Sequence, residues 1–88
     1  MINVKKQTED TFMVEVEVKG YKTTHKVHLD DDYYQRLTSG KIDKEELIKR
    51  SFEFLLDRES NRTILSEFDL QVINRYFPEY ENVMKYQI

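Results

Sequence analysis

The sequence predicts an α+β fold: an N-terminal antiparallel β-meander of two or three strands, followed by three or four helices packed on one face. Two strictly alternating stretches meet at Gly20, the pattern of a hairpin. Beyond Leu29 the apolar spacing lengthens to three and four, and aspartates stand where helices begin. The 88 residues suit a single domain, 1–88, with 1–29 as the meander and 30–88 as the helical part. Two cores would leave each half near the size at which chains need disulfides or metals.

From Thr11 to Lys19, Phe12, Val14, Val16 and Val18 share one face and Met13, Glu15, Glu17 and Lys19 the other. From Tyr21 to Leu29, Tyr21, Thr23, His25, Val27 and Leu29 lie opposite Lys22, Thr24, Lys26 and His28. A Lys19-Gly20 loop pairs Val18 with Tyr21, Val14 with His25 and Glu17 with Lys22. A Gly20-Tyr21 loop keeps the same faces and offers glycine to a type II′ turn, so parity alone leaves both open. Ile2 to Gln7 adds a third strand in phase through Ile2 and Val4. A lone hairpin is marginal in water, so helices must cover its apolar face.

Asp30 or Asp31 is placed to cap a first helix that carries Tyr33 and Leu37 on one side and stops at Gly40. Asp43, with Glu46 three residues on, reads as a capping box for a second helix, Asp43 to Glu59. Its apolar residues Leu47, Ile48, Phe52, Phe54, Leu55 and Leu56 span about half the circumference, wider than the ~100° stripe of a surface helix. Such a helix touches neighbours on two sides: the sheet plus the C-terminal segment, or the sheet plus another subunit. Asp57 to Arg62 reads as a solvated helix end and turn. Asp69 is then positioned to cap a helix from Leu70 to Tyr76, which Pro78 ends, and a short helix follows through Met84.

The chemistry is defined mainly by exclusion. Segment charges of +1 for residues 1–29, −3 for 30–59 and −1 for 60–88 make up the net −3 and leave no basic stripe for phosphate neutralisation. Zero cysteine removes disulfides, thiolate metal sites and cysteine nucleophiles, and with no secretion signal or membrane-length apolar run a cytoplasmic setting is expected. Only Gly20 and Gly40 exist to build a phosphate loop, and each has a turn to explain it. His25 and His28 point to opposite faces of a strand and cannot share an ion; the expectation is a half-buried His25 and a solvated His28. None of Ser39, Ser51, Ser60 and Ser66 sits in a nucleophile elbow. No catalytic residue, cofactor, metal or small-molecule ligand is therefore expected.

Tyr76-Phe77-Pro78-Glu79-Tyr80 places three rings and a proline in five residues. Interface cores favour such side chains. Phe54, Tyr76, Phe77 and Tyr80 are accordingly the candidate protein interface, weighed against a packed role for Tyr76 and Phe77 in the core of so small a domain. The expected function is a non-catalytic interaction or regulatory module, self-associating through Asp43 to Glu59 or binding another protein.

Two resemblances accompany these readings. Val27 to Glu59, with the strand Lys26-Val27-His28-Leu29, an acid-capped helix and a second helix opening Glu45-Glu46-Leu47-Ile48, partly resembles ribbon-helix-helix proteins. The resemblance implies DNA binding as the alternative function, with Thr24, Lys26 and His28 as readers. Here the strand lies within a hairpin and the first helix is shorter than in that family. About Tyr33 to Glu81 resembles small bacterial and archaeal proteins of unassigned function, through Tyr33-Tyr34-Gln35-Arg36-Leu37-Thr38, Ser51 to Glu59 and Phe68 to Tyr80. That resemblance implies no activity.

Overall fold

A computed structural model describes residues 1–88 and has the α+β architecture. Strands β1 (Ile2–Lys6), β2 (Thr11–Val18) and β3 (Tyr21–His28) form the antiparallel meander. Helices α1 (Asp31–Thr38), α2 (Lys44–Leu56), α3 (Ile73–Tyr76) and α4 (Tyr80–Gln87) follow. A fourth strand, β4 (Glu67–Asp69), lies among them and pairs parallel to β3, giving the order β1-β2-β3-β4. The C-terminal half thus adds an edge strand to the meander beside its helices.

Register and turn follow from one backbone fact. Val18 faces Tyr21, and both Lys19 and Gly20 have positive φ, the type I′ geometry. The Lys19-Gly20 loop is therefore the one used. Lys22 reaches Glu15 at 3.7 Å, diagonally across the ladder from its register partner Glu17. The inward faces bury Phe12, Val14, Val16, His25 and Val27 beneath the helices.

Asp30 caps α1 by accepting the Tyr33 N–H at 2.7 Å, and Asp43 caps α2 by accepting that of Glu46 at 2.7 Å. The reciprocal half of a capping box is replaced, because the Glu46 carboxylate accepts from Arg50 Nε at 2.8 Å instead. Ser39 itself takes the left-handed conformation that ends α1, with Gly40 continuing it, so the stop begins one residue earlier than glycine alone indicated. α2 closes at Leu56 rather than Glu59, as its last turn tightens through the bond from Arg58 N–H to the Leu55 carbonyl. Asp69 accepts no capping bond; the expected helix from Leu70 divides into a 3-10 turn, Leu70–Val72, and α3. Pro78 holds Phe77 out of helical geometry, and Asn74 Oδ1 accepts the Glu81 N–H to cap α4 from outside.

The wide apolar arc of α2 is accounted for within the chain. One side packs on β1 and the rest of the sheet, the other against α4, and Leu47, Ile48, Phe52, Phe54 and Leu55 are buried. Of the six residues of the arc only Leu56 is half-buried, so the chain itself covers most of this helix. Phe54 meets Tyr80 at 5.3 Å and Phe77 at 5.9 Å, ring edge to ring face, with the Arg58 guanidinium 3.6 Å above its centroid. The fully buried Tyr80 hydroxyl lies 2.6 Å from Ser51 Oγ. Ser51 donates to the Leu47 carbonyl at 2.8 Å, so Tyr80 is the donor between the two hydroxyls. Burial, the dominant cause, raises the Tyr80 pKa above the ordinary tyrosine value.

Because this hydroxyl pair is buried, its loss costs more than an exposed bond. Tyr80→Phe and Ser51→Ala should each lower unfolding free energy by about 1 kcal/mol. Chemical denaturation of the double variant should give a loss smaller than the sum of the two; full additivity would show that the hydroxyls do not act as a pair.

Candidate functional site

The site is built by the connection between α2 and β4. Ser60 accepts the Arg62 N–H to start a 3-10 turn, Asn61–Thr63, after which the chain runs extended into β4. Read as solvated in sequence, this connection is anchored by a buried polar residue. Asn61, 3% exposed, donates through Nδ2 to the Tyr21 carbonyl at 3.1 Å and Thr23 Oγ1 at 3.2 Å, with the Val16 carbonyl at 3.4 Å.

Thr23 passes the chain on. Its Oγ1 lies 2.8 Å from His25 Nε2, and His25 Nδ1 lies 2.7 Å from the Leu65 carbonyl. A carbonyl only accepts, so Nδ1 carries the proton. Thr23 Oγ1, which accepts from Asn61 Nδ2, has its own proton to offer His25 Nε2, so the four groups are joined from Asn61 to Leu65. His25 is fully buried rather than half-buried, with the Phe52 ring 5.4 Å away. On the sheet's outer face the solvated position expected for His28 is occupied by a bond instead: Nε2 meets Glu67 Oε2 at 2.8 Å. The backbone bond from Lys26 N–H to the Ser66 carbonyl completes the attachment of β4. Both histidines of the chain thus hold Leu65 to Glu67 against β3.

Behind this attachment lies a groove of about 200 Å3, lined by ten residues of which eight are apolar. Leu55 of α2, Ile64, Phe68 of β4, and Val72 and Ile73 form much of its apolar wall. Leu65, 46% exposed, and Tyr76, 67% exposed, belong to the same lining. The other exposed large apolar side chains, Met1, Tyr21 and Tyr86, lie outside it, and Tyr21 is covered by the Arg62 guanidinium at 4.3 Å. Glu59 is the one ionisable carboxylate in the lining, and its Oε1 accepts from the Thr63 hydroxyl at 2.9 Å.

The four aromatic candidates divide. Phe54, 4% exposed, and Tyr80 are core residues and offer a partner no surface. Tyr76 is exposed, contrary to a packed role, and Phe77 is half-buried against the core with part of its ring in the groove. Leu55, Ile64, Leu65, Val72 and Ile73 were not among the sequence candidates. Leu65 does leave a trace: it is an apolar residue out of phase with Phe68, which faces inward on β4.

Thr24, Lys26 and His28 do share one outer face. However, β3 is hydrogen-bonded along both edges, to β2 and β4, so it is not free to pair with a second chain as a ribbon-helix-helix strand does. The face mixes Lys5, Lys22 and Lys26 with Glu15, Glu67 and Asp69, and carries no basic stripe. A second hollow, among Asp30, Asp32, Tyr33, Arg36 and Gln71, is polar, and its Asp30 is already the α1 cap. Burial foremost raises the Tyr33 pKa, and its hydroxyl donates to Glu81 at 2.9 Å. No group of histidine, aspartate and glutamate side chains is arranged to hold a metal ion, and no helix is long and apolar enough to cross a membrane. No family model, curated protein or solved structure matches the chain.

Asn61→Ala should cost about 2 kcal/mol in unfolding free energy, since it deletes the buried start of the hydrogen-bond chain. Amide exchange should accelerate most between residues 61 and 69; uniform acceleration would contradict a local anchoring role.

Acid should act on the same segment from outside. The hydrogen bond from His28 is the main cause that lowers the Glu67 pKa below the ordinary glutamate value of 4.5. A lowered folded-state value makes the contribution full above the ordinary range and lost as pH falls through the lowered one. Amide exchange in β4, corrected for intrinsic pH dependence, should therefore loosen as pH falls below the ordinary glutamate range. Glu67→Gln should remove that acid limb, and an unchanged profile would refute the assignment.

Proposed function

We propose that this chain is a small, non-catalytic interaction or regulatory module of the cytoplasm, whose docking surface is the groove between the end of α2, β4 and α3. The observation that supports it is the pairing of exposed Leu65 and Tyr76 at one apolar depression, while Leu47, Ile48, Phe52 and Phe54 of α2 and Phe12, Val14, Val16 and Val27 of the sheet are buried. An exposed apolar groove in a chain so rich in charge is a feature that partner binding explains and core packing does not. The partly buried hydrogen-bond chain beneath it preorganises the wall, so docking need not order the 61–69 segment.

Indole offers a minimal probe of the groove. Titrated into 15N-labelled protein, it should move the amide signals of Leu65, Val72 and Tyr76 together. Leu65→Ser should weaken the response while changing stability by no more than about 0.5 kcal/mol, as befits an exposed position. Shifts centred on Tyr86, the most exposed aromatic at 93%, or scattered over the surface would count against the groove.

A further inference from the structure

We infer that the occupant of the groove is a short linear segment of another protein, in which one large aliphatic or aromatic side chain stands beside a lysine or arginine. This rests on the docking reading above and narrows it by size and charge.

Size fits a short segment: the ten lining residues are fewer than the roughly 20–30 a side of a stable globular interface. Its volume of about 200 Å3 falls below the ~300 Å3 at which drug-sized ligand pockets begin, and suits a single inserted side chain. Phe68, Ile73 and Phe77 give that side chain apolar contact, with Leu65 and Tyr76 available to close over it.

Charge narrows the neighbour. Glu59 is half-buried, belongs to none of the chain's ion pairs, and has only Thr63 as a hydrogen-bond partner. The nearby cations are engaged elsewhere: Arg58 with Glu79 at 3.1 Å, and Arg62 over the Tyr21 ring. Arg75, adjacent to Tyr76 in sequence, is exposed and outside the lining. A cation carried by the occupant would therefore meet a carboxylate that has no internal counter-ion, at the mouth of an apolar slot.

Capped pentapeptides with a central phenylalanine, flanked on both sides by lysine or on both sides by glutamate and closed by glycines, test this by 15N chemical-shift titration. The lysine peptide is expected to shift Leu65, Val72 and Tyr76 and to bind about 2- to 5-fold tighter than the glutamate peptide, the range of an exposed ion pair. Glu59→Lys should invert that order. Equal binding of both peptides, or an order that Glu59→Lys leaves unchanged, overturns the inference. Silence with both peptides, together with a sedimenting dimer that Leu65→Ser dissolves, assigns the groove to a second copy; that outcome rejects the segment while leaving a docking surface in place. Silence in these titrations and in the indole titration alike removes both readings.

Discussion

The Asn61 amide, the Thr23 hydroxyl, the His25 ring and the Leu65 carbonyl form one partly buried line of hydrogen bonds, and the placing of the groove depends on it. Each group in that line would be costly to bury alone. Together they are mutually satisfied, and no buried side-chain nitrogen or oxygen in the chain lacks a partner. The line fastens a connection with few apolar anchors of its own to the inner face of the sheet. Without it, β4 would rest on its three residue pairs, the Lys26 to Ser66 backbone bond, the His28–Glu67 bond and the packing of Phe68 on Phe52.

The rest of the molecule explains why apolar surface remains at this place and not elsewhere. α2 divides its side chains between the sheet and α4, and the Phe54, Phe77 and Tyr80 rings fill the space where the two helices meet. Arg58 lies over Phe54 and bonds Glu79, whose pKa is lowered first by a bond from its own backbone N–H and then by Arg58. That lid closes one side of the aromatic cluster. Beyond the C-terminal end of α2 come only short elements, the 3-10 turns and the four-residue α3, which bury Leu55, Phe68 and Ile73 but leave Leu65 and Tyr76 exposed.

Features with a period were legible in the sequence. The three N-terminal strands, their common face, the cap Asp43 and the two-sided α2 all follow from alternation, from helical spacing or from an acid at a helix start, while Asp30 was one of two aspartates able to cap α1. The hairpin loop was not, because both candidates preserve parity and the choice depends on the left-handed conformation of Lys19. β4 is three residues long, too short for alternation to register, and its partner lies some forty positions earlier. Asn61 was hidden by its neighbours: in Asp57-Arg58-Glu59-Ser60-Asn61-Arg62 nothing local distinguishes the one residue that turns inward. The aromatic segment was misread for a related reason. Composition marks Tyr76 to Tyr80 as sticky, but only tertiary packing decides that Tyr80 is interior and Tyr76 is not.

The parallel pairing of β4 with β3 carries a kinetic implication. Pairing residues 26–28 with 67–69 closes a loop of about forty residues, an entropic cost that the adjacent hairpin, with its two-residue turn, does not carry. It also stands at the sheet's margin, where sub-global opening is least costly. The groove depends on that pairing, and release of the last strand would dismantle it while the meander and its helical cover stay assembled.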